Sequence, residues 1–192
     1  MKRHLFLYLL AIASCGVHAD WRLSSDDSSV NFISTKKTNI SEVHHFKALS
    51  GSIEGSEARV SIDLTSVETN IPIRNERMRH LLFETKTFLS ASISTEIDTL
   101  KLLNMKCGDS EQMSLMLRLN FHGISQQVES KVQVVKLTNG RVQVFSQYPI
   151  IIKAEDFGLT KGVDALREIA NLPVISSAVP VTFNLHFEKI ND

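Results

Sequence analysis

From Met113 onward the odd positions read Met113, Leu115, Leu117, Leu119 and Phe121, while Ser114, Arg118, Asn120 and His122 hold even ones, with Met116 the apolar exception. Side chains of an extended strand alternate between two faces, so a period of two predicts a strand with one apolar and one polar face. His122-Gly123-Ile124-Ser125 then turns the chain, Gly123 being able to take the positive φ of a tight turn. The return leg sets Val128, Val132 and Val134 against Glu129, Lys131 and Gln133. The pattern predicts a long antiparallel hairpin with one face on an apolar interior.

The same alternation recurs along the chain. It appears at Val30 and Phe32, at Val60, Ile62 and Leu64, and at Ala91, Ile93 and Ile97, with Phe88 out of phase. Val142, Val144, Tyr148, Ile150 and Ile152 form another apolar row, which Pro149 demotes in part to an edge or bulge. The last row is Val179, Val181, Phe183, Leu185 and Phe187. Gly55-Ser56-Glu57 and Asn139-Gly140 read as hairpin turns, and Lys36 to Glu42 as a loop. Lys101 to Gln112 reads as a loop or hairpin around Gly108-Asp109. Twice the period becomes helical: in Pro72 to Phe83, through Met78, Leu81 and Leu82, and in Gly162 to Leu172, through Val163, Leu166, Ile169 and Ala170.

The chain is therefore mainly β, with roughly eight one-sided antiparallel strands and one or two short helices. Two short helices cannot cover such a sheet, so its apolar faces must meet in a sandwich or close into a barrel. The interior of an eight-stranded barrel is filled by side chains or holds one small ligand. The interior candidates are Phe32, Leu64, Met78, Leu82, Leu115, Leu117, Leu119, Phe121, Val144, Phe183 and Leu185.

The first 19 residues change the address. Basic Met1-Lys2-Arg3, an apolar run from Leu5 to Ala13 and Val17-His18-Ala19 form a secretory leader, with cleavage expected after Ala19 and a mature domain of residues 20–192. The apolar run is shorter than the roughly 20 residues a membrane span needs. Ile12-Ala13-Ser14-Cys15 offers a competing lipoprotein signal with Cys15 acylated, but Val17-His18-Ala19 is the better site. The expected location is the periplasm. Losing Lys2 and Arg3 leaves 19 basic against 21 acidic side chains, a net charge of −2, which gives no electrostatic case for nucleic acid. Cys107 is then the one remaining cysteine, so no internal disulfide forms.

Catalytic motifs are absent: there is no Gly-x-Ser-x-Gly elbow, phosphate loop, dinucleotide fingerprint or Cys-x-x-Cys pair. Ser34-Thr35-Lys36-Lys37 matches Ser-x-x-Lys without its companion motifs, and Cys107 has no basic neighbour to activate it. His44, His45, His122 and His186 read as solvated surface histidines rather than ligands of a metal. The densest basic patch is Arg74, Arg77 and Arg79 beside Asn75 and His80. It is either the wet face of the short helix or a polar collar on a pocket, with Arg74 and Asn75 as head-group candidates.

Several landmarks in order resemble the YceI family of secreted bacterial proteins. They are Trp21-Arg22-Leu23, Ser29-Val30-Asn31-Phe32, Gly51-Ser52-Ile53, the run Val60 to Thr69, and Arg74-Asn75 leading to Leu82-Phe83. Leu117 to Ser125 and Asp156-Phe157-Gly158-Leu159 complete the set. Ile71-Pro72-Ile73 and Lys101 to Gln112 depart from the pattern. The resemblance implies a lipocalin-like barrel whose pore holds a polyisoprenoid chain, such as a prenyl quinone or prenyl pyrophosphate. It implies neither catalytic residues nor a cofactor other than this bound lipid. The leading expectation is thus a non-catalytic carrier of an isoprenoid lipid, without a stable membrane span, with a homodimer left open. The alternatives are an isomerase or hydrolase using the barrel mouth, and a structural or interaction module tethered through Cys15.

Overall fold

The computed structural model describes residues 21–190, so the expected leader cleavage and Cys15 lie outside the described residues. Twelve strands form one antiparallel sheet that closes on itself. Several are halves of one interrupted strand, and counted that way the ring has eight staves. β1 (Trp21–Leu23) and β2 (Ser29–Lys36) make the first, broken by the polar turn at Ser24 to Ser28. β3 (Ile40–Phe46) and β4 (Leu49–Glu54) make the second, β5 (Glu57–Asp63) and β6 (Val67–Glu68) the third. β7 (Ser90–Glu96), β8 (Ser110–Phe121) and β9 (Ile124–Lys136) follow singly. β10 (Val142–Ser146) and β11 (Ile150–Lys153) share the seventh, and β12 (Ala178–Lys189) is the eighth. β12 pairs with β10 and β11 along one edge and with β1 and β2 along the other, which shuts the barrel.

The central hairpin runs in unbroken register from Ser110↔Val135 to Phe121↔Ile124. His122 and Gly123, with φ of 51° and 76°, form its two-residue turn, the conformation whose twist suits a tight hairpin. The stretch from Lys36 to Glu42 is the tip of the β2–β3 hairpin rather than a loop. Lys36 pairs with Ile40 there, and its ammonium donates to Glu42 at 2.7 Å. Polar cross-strand pairs hold that tip together where hydrophobicity offers no signal. Tyr148, expected on the apolar face, is exposed instead. It sits in the Gln147-Tyr148-Pro149 break, where Pro149 lacks the N–H a continuous ladder requires.

Three helices lie at the barrel ends. α1 (Pro72–Arg77) opens with Pro72 in the first turn, where a missing N–H costs nothing, and runs into a π-helical turn at Met78–Leu82. α2 (Thr99–Asn104) occupies the ambiguous stretch before β8; Asp98 caps it by accepting from the Lys101 amide at 3.1 Å, and Leu102 is its buried residue. α3 (Thr160–Ile169) ends earlier than its apolar pattern suggested, leaving Ile169 and Ala170 exposed. α3 crosses the π turn at Gly162, where a Cβ would stand 2.6 Å from the Leu81 carbonyl oxygen and 2.8 Å from Leu82 Cα. Gly162→Ala is accordingly expected to cost about 1–3 kcal/mol through overpacking against backbone, read as a lowered urea midpoint.

Trp21 is fully buried at the end of the barrel that α2 shares. Its indole N–H donates to the Gly140 carbonyl at 3.0 Å, and the Lys136 ammonium lies 5.5 Å from its ring centre. Lys136 is buried and donates to the Leu102 carbonyl at 3.1 Å, tying α2 to the wall. Burial first, and then Lys189, lowers its pKa.

Candidate ligand cavity

The inward faces of the staves are mostly apolar, with His44, Ser130 and Lys136 as buried polar exceptions, yet the side chains do not fill the barrel. A cavity of about 230 Å³ remains, against the ~10–15 Å³ that one water requires by the same kind of measure. Of the 35 residues around it, 33 are apolar, and Thr95 and Asp98 are the exceptions. Phe32, Leu64, Leu82, Leu115, Leu117, Leu119, Phe121, Val144, Phe183 and Leu185 all border it. Four aromatic rings run beside it in a chain, Phe46 to Phe83 to Phe121 to Phe157, with centroid separations of 5.8, 6.0 and 5.5 Å.

Three candidates are placed elsewhere. Met78 is buried in the core but does not border the cavity. Arg74 and Asn75 do not border it either. Arg74 donates to Glu42 Oε2 at 2.8 Å and to the Thr69 carbonyl at 2.7 Å. Asn75 accepts from the Thr69 amide and hydroxyl at 2.9 and 2.6 Å and donates to Glu68 at 2.9 Å. Lys47, then Asn75 and the Asn70 amide, hold the Glu68 carboxyl down to about 2. These bonds make the pair braces that fasten α1 to β3 and to the β6–α1 segment, the work of a buried polar network rather than of a collar.

Other lining residues were not among the interior candidates, although Ile97 and Val163 lay on apolar rows. Val163 and Leu159 reach the cavity from α3 and the turn before it, and Ile97 and Leu102 reach it from α2 and its approach. A six-residue helix is too short to display a 3.6-residue period, so only the Asp98 cap could have marked α2 in advance.

His44 also differs from its expected surface position. It lies inward on β3 beside the cavity residue Phe32, ring centres 5.3 Å apart, and its Nε2 shares a 2.9 Å hydrogen bond with Ser34 Oγ. Only 2% of it is exposed. Burial, reinforced by nearby Arg74, drives its pKa down to about 4. A depressed folded pKa means the unfolded chain takes up the proton first, so stability is full above pH ~6.5 and falls as pH drops toward 4. At 1.36 kcal/mol per pH unit, roughly 2 kcal/mol should disappear between pH 7.5 and 5. Most of that range lies above where Glu42 and Glu68, both lowered, begin to protonate. Urea unfolding across this range is expected to show the loss in the native chain and little of it in His44→Phe.

Among the described residues no three His, Cys, Asp or Glu side chains gather as a metal site would require, and no helix is long and apolar enough to cross a membrane. A closed antiparallel barrel around an apolar chamber, with short helices at its ends, is a lipocalin-like architecture. The family comparison narrows the class: a model described as the YceI-like domain matches residues 21–187, and the chain belongs to that family. A solved polyisoprenoid binding domain from Saccharophagus degradans, described as implicated in plant cell wall breakdown, is 38% identical. The match covers 88% of this chain and 98% of that one with a TM-score of 0.87. BcnA of Burkholderia cenocepacia shares the fold at 17% identity and TM-score 0.67, with 85% and 98% covered. A YceI protein of Campylobacter jejuni does so at 14% identity and TM-score 0.53, with 78% and 85% covered. No individually curated protein sequence matches the chain.

Proposed function

We propose that this protein is a periplasmic, non-catalytic carrier that holds a polyisoprenoid chain, of a prenyl quinone or prenyl pyrophosphate, inside its barrel. The observation that carries the reading is a chamber whose wall is apolar at 33 of 35 positions. Each methylene moved from water into such a wall contributes about 0.8 kcal/mol, so an unbranched or prenyl tail gains affinity with length and needs no polar anchor. The polyisoprenoid-binding relative from Saccharophagus degradans supports the same choice of ligand. Catalysis at the barrel mouth would require converging titratable groups, and among the described residues Asp98 is the single one on the cavity wall.

Delipidated protein should enhance the fluorescence of N-phenyl-1-naphthylamine, and farnesol or a longer prenol should displace the dye, longer chains at lower concentration. Absence of dye binding, or displacement that ignores chain length, would count against the reading. Export is checked separately by intact mass. The proposal requires a chain beginning at Asp20, whereas a chain beginning at Cys15 with acyl groups would replace the free carrier with a tethered one.

A further inference from the structure

The ladder between β7 and β8 is incomplete, as is the wall between β9 and β11, which share no pairing. β7 pairs with β8 only from Ser92↔Asn120 to Ser94↔Arg118, so the outer half of β8, residues 110–117, has β9 on one edge and no β7 ladder on the other. Where the ladder stops, Thr95 reaches across with its hydroxyl to the Met116 carbonyl at 3.0 Å. Beyond that bond the seam is spanned by α2. Both polar residues of the cavity wall, Thr95 and Asp98, stand at this seam. Asp98 is also the one residue of the 35 that is exposed, the others being buried or half-buried. Asp98 thus joins the chamber lining to the solvent-exposed surface at this seam.

Resting on the proposed lipid-binding role, we infer that the β7–β8 seam is the mouth of the chamber, where the polar end of the ligand sits, and that Asp98 selects an uncharged end, a hydroxyl or quinone carbonyl, over a phosphate. The neighbouring cations do not offset the carboxylate. Lys101 is paired with Glu111 across the seam, and Lys136 is turned onto the Leu102 carbonyl beneath α2. Lys106 follows α2, and its backbone N–H donates to the Asp109 carboxylate at 2.8 Å, which sets a negative charge beside it. A phosphate placed there would face Asp98 at short range, and like charges about 4 Å apart repel even in water.

Asparagine caps a helix as well as aspartate does, so Asp98→Asn removes the charge and keeps α2 capped. The test compares dissociation constants of farnesol and farnesyl diphosphate for the native chain and this variant at low salt. The native chain should prefer farnesol, and Asp98→Asn should narrow that preference by about tenfold, with the narrowing shrinking as salt screens the exposed charge. Asp98→Ser, also a good cap, should behave alike. Equal or tighter binding of the diphosphate by the native chain, or an unchanged ratio in both variants, would overturn the inference while leaving the carrier role standing. Failure of both compounds to bind any form would overturn both.

Discussion

Leu119→Asp is expected to be the most damaging single change in the barrel wall. Leu119 borders the chamber and packs with Phe121 against Ala154, Phe157 and Leu159. A carboxylate there would have no partner, so the folded chain must carry it protonated. Holding an aspartate neutral at pH 7, against an unfolded pKa near 3.9, costs about 4 kcal/mol, and the lost leucine burial adds about 2 kcal/mol. At pH 4.5 the protonation part should shrink by about 3 kcal/mol relative to the native chain. Asn120→Asp, one residue on and outward-facing, should stay within about 0.5 kcal/mol at either pH. Urea unfolding of the three proteins measures all of this. Equal losses for the two variants would mean the chamber is not where Leu119 points.

Leu117→Trp is expected to separate folding from binding. Leu117 is buried, pairs with Val128 across the hairpin and borders the chamber. In a filled core the extra ring would cost about 1–3 kcal/mol. Here it has a cavity of about 230 Å³ beside it, so the melting temperature of the ligand-free variant should change little. The volume lost to the indole is volume denied to a prenyl chain, and dye and prenol binding should fall at least tenfold. A strongly destabilised variant would show that the interior is already packed, and undiminished binding would show that the chain runs elsewhere.

The contrast between these two residues shows how much could be read in advance. Leu117 and Leu119 announce their face because the alternation from Met113 to Phe121, broken only by Met116 on the other face, has one physical explanation, and β12 repeats it. Closure was not legible in the same way, since alternation is identical in a sandwich and a barrel. It depends on β12 meeting β1, a contact between the two ends of the chain. His44, expected at the surface, is inward because the β2–β3 register pairs it with Phe32, a long-range fact that the local sequence does not carry. Arg74 and Asn75, expected either on the wet face of the short helix or in a polar collar, are hydrogen-bonded to protein partners. Their partners Glu42, Glu68 and Thr69 belong to β3, to β6 and to the segment entering α1, and composition does not reveal who completes a polar network. α2 and its Asp98 cap went unread as a helix because six residues give periodicity nothing to work with.

The most direct test of the carrier role is native mass spectrometry of the mature protein purified from its own host, paired with solvent extraction of the same sample. The account predicts a population carrying close to one non-covalent lipid per chain, with an isoprenoid recovered in the extract and missing from Leu117→Trp prepared alongside. Native protein that flies empty and yields no isoprenoid, or that carries only diacyl lipid at the same level as the variant, would contradict it.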